Sequence, residues 1–203
     1  MAHPLSIEFL GHSTLLVALD TVRFLTDPVL RARIGPLRRS AAMPAPAAPA
    51  DVDAVLISHL HRDHLDLPSL RRLGRDHRIL VPRGAGAWLR ARGFTEVEEL
   101  GVGERTSVGG VGVRAIHARH SGFRPPAGPD APAIGYLVDG TRSVYFAGDT
   151  GLFDDMRDLR GGVDVALLPV GGWGPTLPSR QHMDPADAAR AAALIQPRLT
   201  VPI

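Results

Sequence analysis

The chain holds 203 residues, 44% of them apolar, which suits a single domain over residues 1–203 with a core of its own and excludes a disordered tail or charged linker. Its 23 cationic and 21 acidic side chains nearly balance, and the isoelectric point of 9.9 arises because every cation is Arg and none is Lys, so it gives no argument for nucleic-acid binding. Aromatic residues at 5% exclude a stacking platform for single strands, and 22 Gly with 18 Pro favour turns over a helical bundle.

Residues 1–10 lack the basic start and continuous apolar stretch of a signal peptide. No apolar run reaches the roughly 20 residues that span a bilayer. A protein without a transmembrane segment and with a cytoplasmic location is expected. Ser6–Leu10, Thr14–Leu19 and Val22–Leu25 read as short strands separated by Gly11 and Asp20. Residues 27–50, rich in Pro, Ala and Arg, read as loop. Asp53–Ser58 reads as a buried strand running into a His-rich turn. A short helix follows, with Asp66 as N-cap, Pro68 in its first turn and Gly74 at its end. Arg78–Pro82 reads as a strand, Ala85–Arg92 as a helix stopped by Gly93, and Val111–Ala118 as a strand. Ala133–Val138 and Ser143–Ala147 pair around Asp139-Gly140. Leu152, Met156 and Leu159 have helical spacing. Val163–Val170 is a buried strand, Asp184-Pro185 opens an Ala-rich helix ended by Pro197, and Leu199–Ile203 begins another strand. Strands and helices in irregular order indicate an α/β or α+β fold.

The absence of Cys excludes disulfides and thiolate metal sites. The chemistry concentrates instead in nine histidines, three of them within His59-Leu60-His61-Arg62-Asp63-His64. Imidazole and carboxylate are the donors that borderline divalent metals prefer. At the end of an extended strand, positions 59, 61 and 63 project to one side, and a turn at 63–64 swings His64 to a second point. One short segment can therefore hold two metals a few ångströms apart. Without a metal, three imidazoles and a carboxylate directly after an apolar strand would need other polar partners. His120 and Asp149 each lie just past a strand, in Ala118-Arg119-His120-Ser121-Gly122 and Gly148-Asp149-Thr150-Gly151, and join the set.

These pieces resemble the metallo-β-lactamase-fold hydrolases, whose hallmark H-x-H-x-D-H stands here as His59 to His64. The resemblance is closest to the branch containing N-acyl-phosphatidylethanolamine-hydrolysing phospholipase D and the bacterial L-ascorbate-6-phosphate lactonase. Leu10-Gly11-His12-Ser13-Thr14, Leu25-Thr26-Asp27-Pro28, His120-Ser121-Gly122, Phe146–Gly151, Leu168-Pro169-Val170-Gly171-Gly172 and His182-Met183-Asp184-Pro185 follow in the matching order over nearly the whole chain. The resemblance implies an αββα sandwich with a two-metal site. His59, His61 and His120 would hold one ion, Asp63 and His64 the second, and Asp149 would bridge them. A water shared by two cations ionises near neutral pH, and the resulting hydroxide attacks phosphorus or a carbonyl carbon. Asp63 and His182 belong to the expected catalytic set, His182 giving a proton to the leaving group. Zn2+ suits the donors best, with Mn2+ or Fe as alternatives.

The family pattern has one further His ligand, at the position after Val201-Pro202-Ile203, where this chain ends. The expectation is a truncated C-terminus with its strand and helix incomplete. The alternative to a hydrolase is accordingly a catalytically impaired or non-catalytic metal-binding module. His12 and Asp27 read as residues that orient ligands or serve structure, Trp173 as either an entrance residue or a packed loop aromatic, and His3 and His77 as surface residues. Gly171-Gly172-Trp173-Gly174 lacks the Lys-Ser/Thr of a phosphate loop, and no Gly-x-Ser-x-Gly elbow occurs. The expected reaction is hydrolysis of an ester-type bond, phosphodiester or lactone/carboxylic ester, in a small molecule or lipid. A phosphorylated substrate is favoured because Arg residues near 31–39 and Arg124 could meet an anion.

Overall fold

The computed structural model describes residues 5–40, 42–43, 51–171 and 180–203. His3 and Trp173, and the Gly-rich run beyond Gly171, lie outside them. In chain order the elements are β1 (Ser6–Gly11), β2 (Thr14–Leu19), β3 (Val22–Thr26), β4 (Arg33–Ile34), β5 (Leu37–Arg38), β6 (Ala54–Leu56), α1 (Leu67–Leu73), β7 (Ile79–Pro82), α2 (Gly86–Arg90), β8 (Val97–Leu100), β9 (Arg105–Val108), β10 (Val111–His117), β11 (Ile134–Asp139), β12 (Ser143–Phe146), a 3-10 turn (Asp154–Leu159), β13 (Val165–Leu168), α3 (Pro185–Ile195) and β14 (Leu199–Pro202).

Two six-stranded sheets run in the orders β1-β2-β3-β6-β7-β8 and β14-β13-β12-β11-β10-β9. Each begins as an antiparallel meander and continues as parallel strands, β3-β6-β7-β8 in one and β12-β13-β14 in the other. Parallel neighbours need a crossover, and α1, α2 and α3 occupy three of those connections, the β4–β5 hairpin and the 3-10 turn the other two. The strand alternation sorts residues into three apolar layers. Val144 and Phe146 join Phe24, Leu56 and Leu80 between the sheets, while Tyr145 points to the opposite face against Met156, Ala188 and Ile195. On the far side of the first sheet, Val55 and Ile57 pack with Leu70 of α1 and Leu89 of α2. The result is the expected αββα sandwich. Tyr136 crosses the middle layer, its hydroxyl facing the carbonyls of Ile57 and Leu80 at 2.8 and 3.0 Å. Among the described residues no helix is long and apolar enough to cross a membrane.

The helix starts follow their caps: Asp66 accepts from the Ser69 amide at 3.2 Å and Asp184 from the Asp187 amide at 2.8 Å. Two expectations change, and two strands are added. The segment 27–50 contains the β4–β5 hairpin, and β8 and β9 occupy a stretch to which the sequence assigned no element, because Glu98 and Glu99 interrupt the apolar alternation of β8. The periodic stretch after Leu152 forms a 3-10 turn over Asp154–Leu159.

Candidate metal centre

The site forms where strands of both sheets end. β6 delivers the chain into Ile57 and Ser58, and the following loop is pinned by Leu60 and Leu65, both fully buried. Amides of His64 and Leu65 close this loop onto the His61 carbonyl at 3.1 and 2.8 Å. Arg124 holds it from outside, its Nη1 donating to the carbonyls of Leu60 and Leu65 at 2.7 and 2.9 Å. Arg124 is itself buried, so it braces the His motif and does not meet an anion as its composition suggested.

Three imidazoles converge at one point. His61 Nδ1 lies 3.0 Å from His59 Nε2 and 3.1 Å from His120 Nε2. A neutral imidazole offers one donor and one acceptor, so three nitrogens facing one another cannot all be satisfied within the trio. Two nitrogens on a tetrahedral zinc with bonds of about 2.0–2.1 Å stand about 3.3 Å apart, so the spacing suits a shared cation. Burial holds the pKa of all three down: His59 well below the ordinary histidine value, His61 below it, and His120 at about 4. Their lone pairs are therefore free at neutral pH.

The neighbouring group has the opposite character. Asp27, fully buried at the end of β3, accepts the Ser58 amide at 2.7 Å and the Ser58 hydroxyl at 2.5 Å. Its Oδ2 also faces His64 Nδ1 at 2.7 Å, which turns His64 Nε2 towards the site. That Nε2 is buried without a hydrogen-bond partner among the described residues. It lies 3.3 Å from Asp149 Oδ2 and 4.0 Å from Asp63 Oδ2. Burial opposes charge on His64, yet the carboxylates of Asp149 and Asp27 overcome it and raise its pKa well above the ordinary value. Burial likewise opposes ionisation of Asp63 and Asp149. The hydrogen bond from His12 and the charge on His64 nevertheless bring Asp63 down to about 2, and His64 holds Asp149 well below the usual range.

His12, Asp63 and His64 form a second set of donor atoms within 4.8 Å of one another, and His120, Asp149 and His182 a third. His12 Nε2 stands 3.4 Å from Asp63 Oδ2, and His182 Nδ1 stands 3.5 Å from Asp149 Oδ2. Backbone strain is placed here too: His12 has φ 54° and Asp27 φ 35°. Gly148 at φ 60° permits the turn that delivers Asp149, and a Cβ there would stand 2.5 Å from that of Ser58.

The structure thus brings together all of His59, His61, Asp63, His64, His120, Asp149 and His182. His117 stands apart against Phe153, and His77 bonds the Leu73 carbonyl at the end of α1. His12 reaches Asp63 more directly than its sequence context indicated. Its signal is the turn Gly11-His12-Ser13 between two strands. Gln181 carried no signal: its carbonyl faces His120 Nδ1 at 3.0 Å and its side chain accepts from the Ser121 amide at 3.1 Å.

Residues 22–203 match the β-lactamase superfamily domain. The chain belongs to that family. It is 34% identical to a metal-dependent hydrolase of Methanopyrus kandleri, over 97% of this chain and 82% of that one. It is 32% identical to N-acyl-phosphatidylethanolamine-hydrolysing phospholipase D 1 of Caenorhabditis elegans, over 96% of this chain and 62% of that one. Among solved structures, a metallo hydrolase of the archaeon Ignicoccus hospitalis superposes with a TM-score of 0.75 at 26% identity, covering 98% of this chain and 81% of its own. Relatives and structural neighbours of this superfamily member are named metal-dependent hydrolases. The chain spans 55% of the length of similar mycobacterial proteins.

Proposed function

We propose that the chain hydrolyses an ester-type bond, phosphodiester or lactone/carboxylic ester, of a small molecule or lipid at a binuclear metal site. The observation that carries this reading is the convergence of three neutral imidazole nitrogens, at 3.0 and 3.1 Å, beside a buried His64 Nε2 that faces the carboxylates of Asp149 and Asp63 at 3.3 and 4.0 Å. His59, His61 and His120 would hold one ion, and Asp63 and His64 the other, with His12 beside Asp63 and Asp149 between the two groups. When bound, two divalent ions, Zn2+ by the preference of this donor set, supply a water acidified to near neutral pH and positive charge against the attacked oxygen.

The chain's own residues do the rest. Asp27 fixes the tautomer and direction of His64, as a carboxylate behind a ligating imidazole does. Asp63, kept ionised beside His12, is placed to take a proton from the attacking water. His182 borders the same cavity of about 450 Å³ and is placed to give a proton to the leaving oxygen. The relative from Caenorhabditis elegans is named for hydrolysis of a lipid phosphodiester, which supports that bond class for this chain.

The test is elemental analysis of wild type and H61A together with turnover of a phosphodiester and a carboxylic ester panel. Metal near two ions per chain, lost in H61A together with turnover, is the expected result. Wild type that binds no divalent metal and hydrolyses no ester overturns the reading.

A further inference from the structure

The cavity beside the ligand groups is bordered on another side by the β4–β5 hairpin, including Arg33, Ile34, Leu37 and Arg38. Its turn is Gly35-Pro36, with Gly35 at φ 53° and Pro held near −65° by its ring, the pattern of a two-residue type II′ hairpin. A ladder of two residues per strand does not hold itself in water. Both of its roots are therefore fastened. Arg31 clasps Asp66 with Nε and Nη2, at 2.9 and 2.8 Å. Arg39 donates through its guanidinium to the carbonyls of Leu10 and Val29, and its amide bonds the Ala32 carbonyl at 2.9 Å.

Two of the four arginines in this segment thus anchor the hairpin. The other two are displayed by it. Arg33 and Arg38 stand directly opposite each other on the ladder, exposed, with no hydrogen bond or ion pair among the described residues. Residues 1–4, 41, 44–50 and 172–179 contain no carboxylate side chain that could serve them. Like charges directly opposite on paired strands are destabilising, and among the described residues no carboxylate relieves this pair. Phe9 and Leu37 border the same cavity and are 54% and 52% exposed, large apolar side chains left in water beside two unpaired cations.

We propose that this hairpin is the recognition element of the site, Arg33 and Arg38 together binding a phosphate-type oxyanion of an amphipathic substrate whose apolar part lies against Phe9 and Leu37. The pair offers two planar guanidinium forks, which match the oxygens of such a group. This proposal rests on the hydrolase reading for what happens next, but the binding does not depend on it.

The experiment is isothermal titration of octyl phosphate into the protein as isolated and again after chelation, for wild type, R33Q/R38Q and F9S. Wild type is expected to bind in both forms, more weakly as salt rises, with R33Q/R38Q weaker by about ten-fold or more. F9S is expected to weaken octyl phosphate by about three-fold or more while leaving inorganic phosphate unchanged. The two arginines are exposed and repel each other, so R33Q/R38Q should unfold at the wild-type temperature or slightly above it. Co-sedimentation with phosphatidylcholine vesicles containing phosphatidic acid distinguishes the sources. Arginine-dependent sedimentation identifies a lipid headgroup, and octyl phosphate binding without sedimentation identifies a soluble amphiphile. Equal affinity of wild type and R33Q/R38Q, or no binding by wild type, overturns the proposal. Arginine-dependent binding without metal-dependent turnover overturns the hydrolase reading alone.

Discussion

The His59-His61-His120 trio and the group around His64 lie side by side, yet they carry opposite charge states. In the trio, burial outweighs the opposing pull of Asp149 and Asp63 and drives three imidazoles to the neutral form. Around His64 the burial is complete as well, but Asp27 and Asp149 reverse its effect and hold that imidazole as a cation. The same residue type in the same pocket therefore answers to whether a carboxylate stands behind it. The trio is an assembled acceptor for a cation. The His64 group already contains a positive charge, which an incoming cation must displace as a proton.

The largest effect should come from breaking the trio. H59A or H61A is expected to lower metal affinity and ester turnover by at least about a hundred-fold, checked by metal content and steady-state kinetics. Breaking the carboxylate support of the other group should cost less: D27N is expected to weaken metal binding by about 10–100-fold, with the trio's ion retained longest during chelator titration. Loss of both ions together in D27N would show that the two groups act as one.

The pH dependence of the metal-free protein separates the two by sign. His120 binds its proton at about 4 when folded and near 6.5 when unfolded. The folded state then holds fewer protons across that window, so stability falls as pH drops from about 6.5 to 4. His64 is raised, so its contribution is present in acid and is lost as pH rises through its folded value. Denaturation in chelator at a series of pH values should show H120Q flattening the acid-side loss, and D27N reducing the loss on the alkaline side. A smaller effect is expected from R124M, which leaves the Leu60 and Leu65 carbonyls without a donor: about 1–3 kcal/mol of stability by denaturant titration, and weaker metal binding because both groups share that loop. Smallest is D184A, which removes the cap of α3 but no member of either group and should cost about 1 kcal/mol, with at most a slight change in metal affinity through neighbouring His182.

The layered fold was legible because its strands are apolar and evenly bounded, and because Asp66 and Asp184 announce their helices with local hydrogen bonds. The meeting of His59 to His64 with His120 and Asp149 was legible from strand ends and from the order of motifs. What was not legible depends on contacts between distant residues. The β4–β5 hairpin is held by Arg31 against Asp66, 35 positions away, and its two-residue strands have no pattern of their own. Arg124 read as a cation that could meet an anion, whereas it is buried and serves carbonyls 64 and 59 positions away. His12 is joined to Asp63 only because β1 and β2 turn beside the end of β6, which no local period encodes.

The placement of the ligand groups where strands of both sheets end has a kinetic consequence. Donor atoms come from residues as far apart as His12 and His182, so no early local piece of the chain contains a complete set. Contacts of such long sequence separation form late, after the loops between them have closed. Metal capture should therefore follow assembly of the sandwich. Added to a refolding mixture, a divalent ion would leave the folding rate unchanged and slow unfolding.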